Sequence, residues 1–286
     1  MRLKSICFLI FMFVVLDMYG QKLLIRAFQP SVVVNKVPYG NNPETGKYAQ
    51  TKDAKIYYEV YGKGQPVVLL HGGLFGSTIE FADLIDKLKS NFQVIAISTR
   101  GHGKSELGTE SMTLEQRATD AMTVTDAVTK EKVIVIGFSD GGYAAYYFAK
   151  MYPEKVKKMV VIGAGELKPG DREFNLTVDM ALKMDKAFIE QQLELMPEPN
   201  RLSEMFTELC AYYNKITISK EVLSAIKCPV MVMAGDSDGG NPVERVVSGA
   251  RFIPKHQISI IPNTGHGCHN DNFEAVWASI TPFLKE

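Results

Sequence analysis

The sequence has little cysteine and no excess of either charge. Four cysteines occur in 286 residues, and the three beyond the first twenty residues, Cys210, Cys228 and Cys268, show no Cys-x-x-Cys spacing. This odd number and wide spacing argue against a disulfide framework and a zinc site, and leave one disulfide with a spare thiol as the alternative. Basic and acidic residues number 32 each, so nothing in the composition favours nucleic acid as a partner.

A long hydrophobic run is also missing. A transmembrane helix needs about 20 apolar residues, whereas the apolar run at the N-terminus covers only residues 6–16, after Arg2 and Lys4. This pattern predicts a signal peptide over residues 1–20, a secreted or periplasmic protein, and no stable membrane insertion once the peptide is removed. Because Met18 fits poorly three residues before the expected cleavage point, an uncleaved N-terminal membrane anchor is the alternative.

The rest of the chain predicts one α/β domain behind an extended arm. Residues 21–46 are rich in prolines and turn-forming residues and predict the arm. Over residues 47–286, short apolar strands alternate with helices, which predicts a mostly parallel sheet with helices on both faces. The alternation is interrupted at about residues 169–227, where the pattern is helical only, and we expect a helical insertion there.

The segment Gly137-Phe-Ser-Asp-Gly141 follows a run of four β-branched residues and precedes a helix-forming stretch. A G-x-S-x-G sequence between a strand and a helix predicts a sharp turn that exposes the serine as a nucleophile. The two glycines are expected where strand and helix backbones approach closely. On its own the motif is also compatible with an ordinary glycine-rich loop, so the interpretation depends on partners for Ser139.

A serine nucleophile needs a base and a carboxylate that orients the base. Such partners are expected at the carboxyl ends of neighbouring strands. Asp238 follows the apolar strand pattern that ends near residue 234, and His266 follows the pattern that ends at residue 261. The order serine, aspartate, histidine is the one expected for this architecture. Asp236 is the competing carboxylate, but it lies directly at the strand end and is expected to serve the turn.

The other four histidines carry no predicted catalytic role. His71 and His102 lie in glycine-rich loops and are expected to form hydrogen bonds there. His256 precedes a strand, at the opposite end of the sheet from the predicted site. His269 is expected at the surface, at the start of the last helix, which the pattern predicts over residues 270–284.

Several segments together resemble the α/β-hydrolase superfamily, and within it the small serine esterases, lactonases and cofactor-free haloperoxidase-like members. These segments are His71-Gly-Gly73, Arg100-Gly-His-Gly-Lys-Ser105, Gly137-Phe-Ser-Asp-Gly141, Tyr152-Pro-Glu-Lys-Val156, Gly235-Asp-Ser-Asp238 and Gly265-His266. The resemblance implies an eight-stranded, mostly parallel sheet with a helical cap at residues 169–227. It implies an oxyanion hole formed by the backbone amides of Gly73 and Asp140. Ser98 departs from the family pattern, which often has aspartate at that position.

The combined interpretation is a serine hydrolase that cleaves a small carboxylic ester or lactone, with the triad Ser139, Asp238 and His266. No cofactor and no metal are implied. The alternatives are a binding protein on the same fold with little turnover, and a hydrolase of carbon–carbon or peptide bonds with the same triad. Within the insertion, an apolar stripe is expected to pack and to meet the acyl group of the substrate; its members are Leu176, Met180, Met184 and Phe188.

Overall fold

The structure, a computed structural model, describes residues 36–74 and 76–285. The predicted signal peptide and the first part of the predicted arm lie outside these residues. Eight strands form one sheet in the spatial order β1-β2-β4-β3-β5-β6-β7-β8. The strands are β1 Gly46–Gln50, β2 Lys55–Tyr61, β3 Gln65–Leu70, β4 Phe92–Ile97, β5 Val133–Phe138, β6 Val156–Ile162, β7 Val230–Gly235 and β8 His256–Ile261.

The sheet is mostly parallel, as the sequence predicts. β2 is antiparallel to both β1 and β4, whereas each pairing from β4 across to β8 is parallel. β5 lies between β3 and β6, and all six of its residues are buried. Continuous apolar sequence is therefore required there, because both faces of the strand are covered by helices.

Nine α-helices connect or cover the strands in the described part of the chain. They are α1 Ala82–Leu88, α2 Leu114–Val128, α3 Asp140–Met151, α4 Val178–Leu195, α5 Leu202–Tyr213, α6 Lys220–Ser224, α7 Val243–Phe252, α8 Cys268–Asp271 and α9 Phe273–Lys285. Short 3₁₀ helices at Thr78–Phe81 and Pro199–Arg201 precede α1 and α5. One apolar core contains residues of α2, α3 and α7, and a second contains residues of α1 and α9. None of the described helices is long and apolar enough to cross a bilayer.

The last helix of the sequence interpretation is in fact two helices. We expected one helix over residues 270–284, but α8 ends at Asp271 and α9 begins at Phe273. Asn272 between them has a non-helical backbone (φ −144°, ψ 72°), and its side-chain oxygen accepts a hydrogen bond from the Ala275 amide. An asparagine that caps a new helix ends the previous one, because the same residue cannot be helical and make this contact.

The residues between β6 and β7 hold α4, α5 and α6, in the segment where the sequence pattern is helical only. α4 is interrupted at Asp185 (φ −152°, ψ 78°), whose side chain accepts a hydrogen bond from the Phe188 amide. This break separates the members of the expected apolar stripe. Phe188 is fully buried, but Met180 and Met184 are 46% and 57% exposed. The expectation that both methionines pack and meet the acyl group is therefore wrong.

The described end of the predicted arm is held against β2 by a buried carboxylate. The amides of Gly40 and Asn42 donate to Glu59, as do the hydroxyl groups of Tyr57 and Tyr61. Burial raises the pKa of Glu59 against the opposing effect of these four donors. No sequence spacing indicates this contact, because it depends on the arm's path over the sheet.

Candidate active site

Ser139 lies at the sharp turn between β5 and α3. Its backbone has positive φ (φ 51°, ψ −113°), a conformation that is strained for a residue with a side chain and that recurs at functional sites. A Cβ atom on Gly137 would clash with the carbonyl oxygen of Gly141, and a Cβ on Gly141 would clash with that of Leu70. The two glycines of the motif are thus required by close backbone approach, and the turn holds Ser139 above the sheet.

The structure brings Ser139, His266 and Asp238 into one hydrogen-bonded line. His266 Nε2 lies 2.8 Å from Ser139 Oγ, and His266 Nδ1 lies 2.8 Å from Asp238 Oδ2. The Asp238 side chain is fully buried. A carboxylate at Nδ1 favours the tautomer with the proton on that nitrogen, which leaves Nε2 as an acceptor for the serine hydroxyl proton.

The two neighbouring aspartates of the β7 loop have different partners. The second oxygen of Asp238 accepts from the amides of Gly240 (2.8 Å) and Asn241 (2.7 Å), which fixes the carboxylate toward His266. Asp236 instead accepts from the Thr264 amide at 3.1 Å. Hydrogen bonds from the backbone at Asn263 and Thr264 hold the pKa of Asp236 below its usual value. The structure therefore places Asp236 in the turn, and only Asp238 against the histidine.

Gly73 and Asp140, whose amides are the expected oxyanion donors, border the same cavity as Ser139. The cavity has a volume of about 710 Å³, and both residues line it together with Ser139 and His266. Neither amide donates to an acceptor among the described residues. The Asp140 amide belongs to the first turn of α3, where backbone N–H groups have no partner within the helix and the helix dipole favours negative charge. This arrangement can stabilise an anionic oxygen bound in the cavity.

The side chain of Asp140 belongs to a buried ion pair. Its Oδ2 lies 3.1 Å from Arg117 Nη1, and its Oδ1 accepts a hydrogen bond of 2.7 Å from Tyr212. The Arg117 guanidinium also lies over the Tyr212 ring, at 4.9 Å from the ring centre. Sequence reasoning missed this cluster, because its members come from α2, α3 and α5 and no spacing connects them.

His71 and His102 form hydrogen bonds in their loops, as expected. His71 Nε2 accepts from the Thr99 amide at 2.9 Å, and His102 Nδ1 lies 3.0 Å from the carbonyl oxygen of Arg100. Both side chains are buried. Burial lowers the pKa of His71 well below its usual value, and burial together with the charge of Arg117 lowers that of His102 to about 4.

His269 does not lie at the surface, and that expectation is wrong. Only 1% of its area is exposed, and its ring lies 4.5 Å from the ring of Phe138 and 5.5 Å from that of Phe81. His269 lies in the short helix α8, which is separate from α9, and its ring packs between residues that the sequence does not place near it.

Five residues of the insertion line the cavity: Asp171, Arg172, Glu173, Phe174 and Tyr213. Arg172 Nη2 donates to the carbonyl oxygen of Gly240 at 2.9 Å and to Asn241 Oδ1 at 2.6 Å. Arg172 thus ties the start of the insertion to the loop that carries Asp238. Among the residues described, no group of three or more His, Cys, Asp or Glu side chains could hold a metal ion.

Several known proteins are similar to this chain in sequence. A family model described as "alpha/beta hydrolase fold" matches residues 65–202. The chain is 25% identical over 272 residues to a human protein named serine hydrolase BPHL, covering 87% of this chain and 90% of that protein. It is 26% identical over 263 residues to a non-heme haloperoxidase of Rhodococcus erythropolis, covering 81% of this chain and 96% of that protein.

The same architecture is found among solved structures. An esterase from Exiguobacterium antarcticum aligns with a TM-score of 0.70 and 23% identity, over 84% of this chain and all of that one. At this identity the likeness shows a shared fold. The predicted fold class, and the resemblance to esterases and haloperoxidases, are confirmed.

Proposed function

We propose that this chain, which is an α/β hydrolase, cleaves a small carboxylic ester or lactone through an acyl-enzyme formed on Ser139. The observation that carries the proposal is the line from Ser139 Oγ through the His266 ring to Asp238, with 2.8 Å at each contact. Each distance is within the range of a hydrogen bond. Two further observations support the proposal. The strained turn presents Ser139, and the amides of Gly73 and Asp140, unpaired among the described residues, lie beside it.

The mechanism follows from these positions. His266 Nε2 accepts the Ser139 proton as Oγ attacks the carbonyl carbon, and Asp238 stabilises the resulting imidazolium. The amides of Gly73 and Asp140 donate to the oxygen on which negative charge develops. The imidazolium returns its proton to the leaving alcohol oxygen. Water then attacks the acyl-enzyme with His266 as base, which releases the acid and restores Ser139.

A labelling experiment tests this proposal. A fluorophosphonate reacts with an activated serine, so wild-type protein should be labelled and Ser139→Ala should not. A panel of p-nitrophenyl esters and lactones should then show turnover that disappears in the same variant. Labelling without turnover of any ester, lactone, amide or carbon–carbon substrate would favour a binding protein with an intact but unused triad. Turnover confined to peptides or carbon–carbon bonds would keep the triad and replace the substrate class.

Export is a second, separate proposal that rests on residues 1–20 of the sequence alone. Mass spectrometry of protein from its native cell should find an N-terminus near Gln21 in the exported fraction. Full-length protein in the membrane fraction would favour the uncleaved anchor instead. Full-length protein in the cytosol would overturn export altogether.

A further inference from the structure

Tyr213 is the last residue of α5 and brings a phenol to the centre of the site. It lines the cavity together with Gly73, Ser139 and Asp140, yet only 5% of its area is exposed. Its ring packs against the rings of Phe174, at 4.8 Å, and Tyr212, at 5.0 Å. These two contacts fix the direction in which the hydroxyl points.

The hydroxyl occupies the space that a side chain at position 73 would take. A Cβ atom built on Gly73 would overlap the Tyr213 oxygen and lie 2.8 Å from Cζ of the ring. Any other residue at position 73 would therefore displace the phenol. Because the Gly73 amide is one of the two proposed oxyanion donors, the Tyr213 hydroxyl stands directly beside the oxyanion hole.

The Tyr213 hydroxyl donates no hydrogen bond within the described part of the chain, whereas three neighbouring buried tyrosines do donate. The hydroxyl of Tyr212 binds Asp140, that of Tyr143 binds Asn241, and that of Tyr146 binds the carbonyl oxygen of Ala164. A buried donor without an acceptor costs about 1–3 kcal/mol, so such a group in a cavity indicates that a ligand supplies the acceptor.

The phenol also keeps its proton under the conditions in which the enzyme would work. The pKa of Tyr213 is raised above its usual value, mainly by burial and secondly by the charge of Asp140. The charges of Arg117 and Arg172 and the Leu74 amide lower it, but burial and Asp140 outweigh them. The side chain is therefore a neutral donor at every physiological pH.

We propose that the Tyr213 hydroxyl is a third donor of the oxyanion hole, beside the amides of Gly73 and Asp140. This inference rests on the proposed hydrolase function, because it needs an oxygen that becomes negative during the reaction. Tyr213 donates a hydrogen bond to that oxygen and keeps its proton throughout. The donor comes from the insertion rather than from the sheet, so the oxyanion hole is complete only when α5 is packed in place.

The variant Tyr213→Phe tests the proposal, since it removes the hydroxyl and keeps the ring. Loss of one oxyanion donor lowers kcat by about 10²-fold, and we expect a fall of that order with KM changed much less. Inhibition by a trifluoromethyl ketone, which forms an anionic adduct on the serine, should weaken by a similar factor. A merely structural phenol would not move this inhibition constant.

Tyr146→Phe is the matched control, because it deletes an equally buried hydroxyl on α3 that does not line the cavity. It should lower the melting temperature and leave both kcat and the ketone inhibition constant close to wild type. If Tyr213→Phe fails to fold, a fluorotyrosine at position 213 answers the same question, because it is a stronger donor of nearly equal size. Ketone binding should then be tighter than in wild type.

The outcomes separate this inference from the function on which it rests. Wild-type kcat and ketone inhibition in Tyr213→Phe, alongside complete loss of activity in Ser139→Ala, would overturn the role of Tyr213 and leave the hydrolase proposal intact. The same holds if fluorotyrosine leaves ketone binding unchanged or weakens it. Absence of any Ser139-dependent labelling or turnover in wild type would overturn the hydrolase function itself, and the role of Tyr213 with it.

Discussion

Asp140 and Arg117 form a buried ion pair, with 3.1 Å between Oδ2 and Nη1. Asp140 also lines the cavity that holds Ser139, so one residue belongs both to the site and to its support. The pair is closed by Tyr212 of α5, which donates to the same carboxylate. The position of α5 in the insertion and the position of the Asp140 backbone amide therefore depend on each other.

This connection predicts that Arg117→Met is strongly destabilising. Removing one partner of a buried pair leaves the other charge uncompensated, and we expect a loss of about 3–5 kcal/mol in the free energy of unfolding, measured by urea denaturation. Lys52→Met, which breaks the exposed pair with Glu110, should change stability little. Equal effects of the two variants would contradict the view that burial makes the Arg117 pair critical.

The nucleophile and the base should act as one unit. We expect Ser139→Ala and His266→Ala each to lower kcat for a p-nitrophenyl ester by about 10⁴ to 10⁶, and the double variant to lose hardly more. Melting temperatures should change little, since both side chains border the cavity. Losses that multiply in the double variant would show that the two residues act independently, and would argue against the proposed triad.

Substitutions of the two aspartates in the loop after β7 should have different effects, one mainly on turnover and the other mainly on stability. Asp238→Asn should lower kcat by about 10⁴ because the imidazolium is no longer stabilised and the wrong tautomer is favoured. Asp236→Asn should mainly lower the melting temperature, because it weakens the acceptor for the Thr264 amide. A large kinetic loss in Asp236→Asn with near-normal turnover in Asp238→Asn would reverse the assignment.

His102 makes stability depend on pH. Its pKa in the folded protein is lowered to about 4, mainly by burial and secondly by the charge of Arg117. An unfolded histidine titrates at about pH 6.5. Above pH 6.5 both states are neutral and the contribution is complete. Between pH 6.5 and 4 only the unfolded chain binds the proton, so stability is lost as the pH falls.

Urea denaturation at pH 7 and pH 4 should reveal this contribution, which amounts to about 2–3 kcal/mol. His102→Gln should lose that much less stability between the two pH values than wild type does. His256→Gln, which removes an exposed histidine, should follow the wild-type dependence. An unchanged pH dependence in His102→Gln would contradict the lowered pKa.

Acyl preference should depend on Phe174 and not on the exposed methionines of α4. Phe174 lines the cavity, so Phe174→Ala should change the ratio of kcat/KM between short and long p-nitrophenyl esters by about tenfold. Met180→Ala and Met184→Ala serve as controls and should leave this ratio unchanged. A shift of the ratio in the methionine variants would mean that α4 moves over the site when substrate binds.

The sheet, the turn and the order of the site residues can all be predicted from the amino-acid sequence alone. Strands buried on both faces need continuous apolar residues, so β5, β6 and β7 can be recognised in the sequence as apolar runs. The G-x-S-x-G turn is visible because backbones that touch admit only glycine at Gly137 and Gly141. Asp238 and His266 follow from chain topology, since the carboxyl ends of parallel strands meet at one edge.

The residues that support the site and those that line the cavity depend on packing and cannot be predicted from the sequence. Arg117, Asp140 and Tyr212 come from three different helices, and no periodicity connects residues that meet only after packing. The direction of a helix face depends on local breaks: the kink at Asp185 leaves Met180 and Met184 exposed, and the break at Asn272 helps to bury His269. Tyr213 reaches the backbone of Gly73 because α5 ends beside that residue, a relation set by packing between distant segments rather than by local sequence.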